Sequence, residues 1–225
     1  MSSLVFWIDV DNTLLDNDGA KEEYDSYLQV ELGPQLTARF WQLYEEVREE
    51  QSVIDIPATL VRLREETPLS QMDELTYQHV RSVFDNFPFQ KLLYPQALET
   101  LAYLNTLGST VIVSDGDKVF QAEKIFNSNL AEAVQGRVIL YIHKQEHLDE
   151  IMRQYPADHY AMIDDKPQIL HDTKTELGNL VTTIFVNQGK YATAQPPAQF
   201  MPDITVARIA DVQHLSKEQF FYTHP

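Results

Sequence analysis

The sequence predicts an α/β fold, an open parallel sheet with crossover helices and one all-helical insert, and three observations carry that prediction. Short apolar and β-branched runs recur along the chain with helical patterns between them. The alternation stops between Leu15 and Tyr94, a stretch with no strand pattern. Reactive side chains stand directly after four of the runs, where an open parallel sheet places its ligands.

The predicted strands are 4–8, 110–113, 138–141, 160–163, 182–186 and 204–206. A helix is predicted from Pro95 to Leu107, with proline in its first turn and Gly108 beyond its end. Further helices are predicted over 117–130, 143–154 and 168–177. In the interrupting stretch Phe40, Leu43 and Val47 share a helical face, as do Tyr77, Val80, Phe84 and Phe87. Glu45, Glu46, Glu49 and Glu50 take the solvent side. The simplest organisation is a core of residues 1–15 and 95–225 with a helical bundle, 16–94, inserted after the first strand. The aromatics of the bundle read as its core rather than as a binding box. Residues 187–203, with three prolines and no periodicity, read as a surface loop.

Composition narrows the function. At 225 residues the chain is long enough to bury a full core, and 44% hydrophobic with 23% charged residues is a globular balance. A formal charge of −17 with no basic run argues against a nucleic-acid partner, because phosphate backbones are bound by clustered Lys and Arg. With no cysteine, disulfides and thiolate metal sites are excluded, which fits a reducing compartment. The apolar run Leu4 to Ile8 is too short for a signal sequence or a membrane span, and no longer run follows. The expectation is a cytoplasmic protein with neither a membrane nor a nucleic-acid partner.

The strand ends carry the chemistry. The first delivers Asp9, Asp11 and Thr13 in "FWIDVDNTLLD", the second Ser114, and the fourth Asp164 and Asp165 in "AMIDDKPQIL". Lys144 begins the helical pattern after the third. Clustered carboxylates repel and are costly to desolvate, so a site holding Asp9, Asp11, Asp164 and Asp165 needs a compensating cation. Mg²⁺ suits it, being held by a few carboxylates while keeping waters and taking phosphate oxygens. Lys144 and the Ser114 hydroxyl would then face other phosphoryl oxygens.

"DVDNT" after an apolar strand, Ser114 after a second, then Lys144 and the Asp164-Asp165 pair, resemble the four ordered motifs of the haloacid dehalogenase-like superfamily. The insert resembles the helical cap of its phosphoglycolate-phosphatase-like members. The resemblance implies a Rossmann-like core and a phosphatase acting on a small phosphorylated metabolite. It implies Asp9 as the nucleophile that becomes an aspartyl phosphate. Asp11 would be the general acid and then the general base. Ser114 and Lys144 would bind the phosphoryl group, with Asp115 and Gly116 in the same loop. Asp9, the Asp11 backbone carbonyl and Asp164 would hold Mg²⁺, with Asp165 directly on the metal or just behind it. Thr13 would shape the turn. Relatives that displace halide lack an acid two residues after the nucleophile, so Asp11 favours phosphoryl transfer.

Two positions depart from the pattern. Gln168 stands where many relatives carry a further acid, which bears on metal affinity. Asp115 replaces a frequent asparagine, and capping of the next helix by Asp115 or Asp117 is its leading explanation. His143 and His147 flank Lys144 at i and i+4, but a zincin needs glutamate beside the first histidine, so they read as partly exposed helix residues. No GxSxG, P-loop or GxGxxG occurs. A phosphoacceptor without turnover, as in receiver domains, and a sugar phosphomutase of the same fold are the competing readings. For an anionic substrate tail the available cap cations are Arg39, Arg48, Arg62 and Arg64, most of them expected to pair with neighbouring glutamates.

Overall fold

The structure is a computed structural model, described here over residues 3–52, 54–193, 197 and 200–223. Its elements run β1 (Leu4–Ile8), α1 (Asn17–Gln51), α2 (Ile56–Glu66), α3 (Glu74–Asp85), α4 (Ala97–Leu107), β2 (Ser109–Asp115), α5 (Phe120–Asn127), α6 (Leu130–Ala133), β3 (Val138–Tyr141), α7 (Leu148–Gln154), β4 (His159–Asp164), α8 (Pro167–Leu177), β5 (Val181–Val186) and β6 (Ile204–Val206).

All six strands are parallel, in the order β3-β2-β1-β4-β5-β6. The order reverses beside β1, and the crevice outside the carboxyl ends at such a reversal is where an α/β sheet binds ligands. Every residue of β1 is buried, because both faces of the sheet are covered. Leu4, Phe6 and Ile8 join the apolar layer that contains Leu101 and Leu104 of α4 and Ile125 of α5. Val5 and Trp7 face the opposite layer, with Ile151 of α7 and Leu170 of α8.

Between β1 and α4 the chain builds α1, α2 and α3. Each begins on an aspartate whose side chain accepts a backbone N–H: Asp16 from Gly19 at 2.9 Å, Asp55 from Ala58 at 2.8 Å and Asp73 from Thr76 at 2.8 Å. α1 bends at Gly33, where φ is +75°, and Pro34 follows with no N–H to continue the ladder. Phe40, Leu43, Val47, Tyr77, Val80, Phe84 and Phe87 are buried, and Glu45, Glu46, Glu49 and Glu50 are exposed. The outgoing and returning chains meet as a short antiparallel pair at Leu15 and Leu93. There Asp16 N donates to Leu92 O at 2.8 Å and Tyr94 N to Leu14 O at 2.9 Å.

Two predicted helices differ from the observed ones. The 117–130 pattern splits into α5 and α6 because Asn129 takes a left-handed conformation, φ +65°. The 143–154 pattern starts later: Lys144–Glu146 form a 3-10 turn after left-handed His143, and α7 begins at Leu148. The loop 187–203 contains a 3-10 turn at Lys190–Thr193; residues 194–196, 198 and 199 of that loop lie outside the described residues.

The placement of β1 depends on a close approach at Gly108. A methyl group there would sit 2.3 Å from Leu4 O. Gly108→Ala is therefore expected to destabilise the protein by about 1–3 kcal/mol, the usual cost of overpacking. Urea denaturation measures this, and an unchanged midpoint would show that the contact between β1 and the α4–β2 turn relaxes freely.

Candidate active site

Asp9 follows β1 and is tied to the neighbouring strand by its N–H, 3.0 Å from Ile163 O. The chain then curls tightly: the N–H groups of Thr13, Leu14 and Leu15 all converge on Val10 O, at 3.2, 2.9 and 3.0 Å. This curl sets the directions of Asp9 and Asp11. Thr13 Oγ1 donates to Asp9 Oδ2 at 3.4 Å, so it touches the carboxylate as well as the turn. Asn12 has φ +62°, and its Oδ1 accepts from Asn17 N and Asp18 N at the start of α1. Gln188 Nε2 donates to Asn12 O at 3.0 Å and Thr13 O at 2.8 Å, fastening the curl to the loop after β5.

The sheet reversal brings β4 beside β1, so Asp164 and Asp165 arrive next to Asp9. Ligand oxygens of the three lie within 4.8 Å of one another, all buried. Lys144 is fully buried against them, its Nζ 2.5 Å from Asp9 Oδ1, 2.7 Å from Asp164 Oδ2 and 3.0 Å from Val113 O. Burial opposes its charge, but Asp164 and Asp9 outweigh that and hold its pKa above the usual lysine range. Burial raises the Asp9 pKa, with Lys144 opposing and Asp164 adding to the rise. Asp165 is 0% exposed and neither of its oxygens has a hydrogen-bond partner among the described residues. Burial, then Asp164 and Asp9, push its pKa up to about 9.

The donor set fits a hard divalent cation: carboxylate oxygens only, buried, converging, and one carboxylate without any partner. Among the described residues no histidine joins such a cluster. His147 instead stacks on Tyr141, centroids 4.1 Å apart. Gln168 is exposed and donates to Asp172 Oδ1 at 2.6 Å, away from the three carboxylates.

Asp11 is not part of the carboxylate cluster. Its Oδ1 accepts from Lys124 Nζ at 2.8 Å and from Gln121 Nε2 at 3.4 Å. Burial alone would raise the Asp11 pKa, yet Lys124 brings it below the usual carboxylate value. Gln121 Nε2 also donates to Ser114 Oγ at 3.0 Å, linking the hydroxyl to Asp11. Sequence reasoning missed Gln121 and Lys124, although both sit on the face of α5 that carries buried Ile125, at spacings of three and four. Lys166 was also missed. It lines the cavity with Asp11, its N donates to Asp164 Oδ1 at 2.8 Å, and Asp9 and Asp164 raise its pKa against the opposing effect of burial.

The end of β2 and the residue after it differ from expectation. Asp115 does not cap α5; its Oδ1 accepts from Lys144 N at 2.8 Å and so anchors the lysine's backbone. The cap is Asp117, which accepts from Val119 N and Phe120 N. Gly116 does not offer its N–H to the cavity, because that group donates to Tyr141 O at 3.0 Å; a methyl group at Gly116 would meet Gln121 Cβ at 2.9 Å.

A cavity of about 240 Å³ opens beside these residues, walled by α1, the start of α2, α5 and the loops after β1, β2 and β3. Of the four arginines, Arg48 lines it. Arg39 pairs with Glu46 and Glu66, Arg62 with Glu50 and Arg64 with Glu74.

Among solved structures, one described as a haloacid dehalogenase-like hydrolase from Burkholderia xenovorans is 40% identical, covering 97% of this chain and 99% of that one, with a TM-score of 0.86. YfnB from Bacillus subtilis, a HAD-hydrolase bound to magnesium, is 14% identical, covering 95% and 98%, with a TM-score of 0.62. The L-2-haloacid dehalogenase PA0810 is 17% identical, covering 95% and 98%, with a TM-score of 0.60. At those lower identities the likeness shows the fold. No family model matches the chain, and no curated protein does. The 40% identity over nearly the whole of both chains shows that this chain belongs to the haloacid dehalogenase-like hydrolases.

Proposed function

We propose that the protein is a Mg²⁺-dependent phosphohydrolase that cleaves a small phosphomonoester through an aspartyl phosphate on Asp9. The observation that carries the reading is the buried set of Asp9, Asp164 and Asp165, with both oxygens of Asp165 unpartnered, beside an acid at Asp11. Displacing halide from carbon expels a weak base that needs no proton, whereas an alkoxide leaving phosphorus needs an acid. The magnesium in YfnB supports the same choice of ion.

Asp9, Asp164 and Asp165 would hold Mg²⁺ together with the Asp11 carbonyl, and the ion would supply positive charge to the phosphoryl oxygens. The Asp9 carboxylate attacks phosphorus, the bond to the ester oxygen breaks, and that oxygen takes the Asp11 proton. In the second half Asp11 removes a proton from water, the resulting hydroxide attacks phosphorus, and the bond to Asp9 breaks. Because Gln121 donates to Ser114 Oγ, the hydroxyl proton is left for a phosphoryl oxygen. Lys124 keeps Asp11 ionised at rest, the form the second half needs. An arriving phosphate dianion raises the Asp11 pKa by like charge and so loads the proton for the first half. The helical insert, 16–94, serves as the cap that closes the cavity against water.

Asp9→Asn is expected to reduce phosphate release from p-nitrophenyl phosphate by at least about 10³-fold with an unchanged melting temperature. Appreciable residual release would remove Asp9 from the nucleophile's role. Asp165 has a folded pKa above its unfolded one, so its contribution to stability is lost as pH rises from about 4, the unfolded value, toward about 9. Asp165→Asn should therefore raise the melting temperature of the metal-free protein at pH 7.5, by about 2–4 °C for each ~1 kcal/mol of relief. The same variant should lose most of the Mg²⁺-induced stabilisation; a lower metal-free melting temperature would count against the unpartnered charge. Lys124→Met frees Asp11 from its cation and raises its pKa, and because Asp11 must carry a proton in the step that releases the alcohol, the basic limb of the pH profile of kcat/KM should move to higher pH. A limb that stays in place would separate Lys124 from Asp11 function.

A further inference from the structure

Three lysines reach the carboxyl ends of the strands, and two of them are already committed. Lys144 Nζ has oxygens on three sides, Asp9 Oδ1 at 2.5 Å, Asp164 Oδ2 at 2.7 Å and Val113 O at 3.0 Å, and its side chain is 0% exposed. An ammonium has three donors, so it takes a further oxygen only by giving one of these up. Lys124 Nζ is held by Asp11 Oδ1 at 2.8 Å and Asn17 Oδ1 at 3.1 Å. Lys166 is different: it is half-buried, its ammonium makes no ion pair or hydrogen bond among the described residues, and it lines both the cavity beside Asp11 and the adjoining mouth. Its own N–H is spent on Asp164 Oδ1 at 2.8 Å and Pro167 has none, so these two residues can present the cavity with no donor except that ammonium.

The strand order decides what the ammonium is near. β1 lies between β2 and β4, so Asp9 has Ser114 on one side and the turn at 164–166 on the other. Burial works against the ionised forms of Asp9 and Asp11; Lys144 counters it most at Asp9 and Lys124 at Asp11, and Lys166 adds to both. With the three clustered carboxylates ionised, Lys144 leaves two negative charges in excess, which a divalent cation balances without surplus. A phosphate dianion approaching Asp9 gains from a further positive charge there.

We infer that Lys166 is a catalytic residue, its ammonium donating to an oxygen of the transferring phosphoryl group from the side opposite the Ser114 hydroxyl, while Lys144 stays with Asp9 and Asp164. The inference rests on the phosphohydrolase reading above. Phosphoryl transfer spreads charge over the oxygens that neither attack nor leave, and a cation fixed beside them stabilises the transition state. The same positive charge repels a metal ion at the neighbouring carboxylates. Removing it therefore weakens the hold on an anion and leaves the hold on a cation equal or stronger, a split that general damage to the site does not produce.

The test measures three quantities on the whole protein and on Lys166→Met, Lys166→Gln and Lys166→Arg: kcat/KM for p-nitrophenyl phosphate, the inhibition constant of orthovanadate, and the Mg²⁺ concentration at the midpoint of thermal stabilisation without substrate. In the two neutral variants kcat/KM should fall by at least about 10²-fold and vanadate should bind at least about tenfold more weakly, while the Mg²⁺ midpoint stays in place or moves to lower concentration. Lys166→Arg, which keeps the charge, should recover at least about tenfold of the lost kcat/KM. A smaller loss in both neutral variants, unchanged vanadate inhibition, an arginine variant no better than the methionine one, or a Mg²⁺ midpoint that rises in step with the loss of activity overturns the assignment and leaves the phosphohydrolase reading standing. No phosphate release from any phosphomonoester by the unsubstituted protein overturns that reading, and the assignment with it.

Discussion

One lysine ammonium set among three buried carboxylates is the constraint on which the rest of this structure depends. Removing ions from water costs several kcal/mol each unless they are paired, and Lys144 can pair closely only with Asp9 and Asp164. Asp165 is left with an excess charge or a bound proton, an imbalance that a divalent cation would relieve. Much of the surrounding architecture serves to hold this arrangement. The strand order puts β4 beside β1, Asp115 fixes the backbone of Lys144, and Gln188 pins the curl that follows Asp9.

A second charge system sits next to the first and is kept apart from it. Lys124 engages Asp11 and draws its carboxylate out of the central cluster. Two aspartates one residue apart in sequence thus end with opposite pKa shifts, Asp9 up and Asp11 down. The separation comes from the Val10 curl, which ends strand-like alternation between the two residues.

All six strands were legible because β-branched runs bounded by helical patterns leave few alternatives, and the insert was legible because its apolar spacing changes to that of a helix. The strand-end residues Asp9, Ser114, Asp164 and Asp165 were legible for the same topological reason. What escaped were side chains reaching in from helices. Gln121 and Lys124 look like ordinary surface residues of an amphipathic helix until α5 is placed over the strand ends. Lys21 and Tyr24 in the first turns of α1 and Tyr44 and Arg48 in its last turns line the cavity together because the chain folds back at Gly33, where Trp41 Nε1 donates to Asp25 Oδ1 at 2.7 Å across the two halves. The roles of Asp115 and Gly116 escaped for a different reason: a hydrogen bond to Lys144 N or to Tyr141 O links elements whose pairing a local motif does not encode.

The most direct test of the central claim is to quench the enzyme during turnover of a phosphomonoester, reduce it with borohydride, which converts an acyl phosphate of aspartate to homoserine, and locate the change by peptide mass spectrometry. The account predicts homoserine at position 9 only, and only when substrate and Mg²⁺ are both present. Phosphate release with residue 9 unmodified throughout, or reduction at another carboxylate, would contradict it.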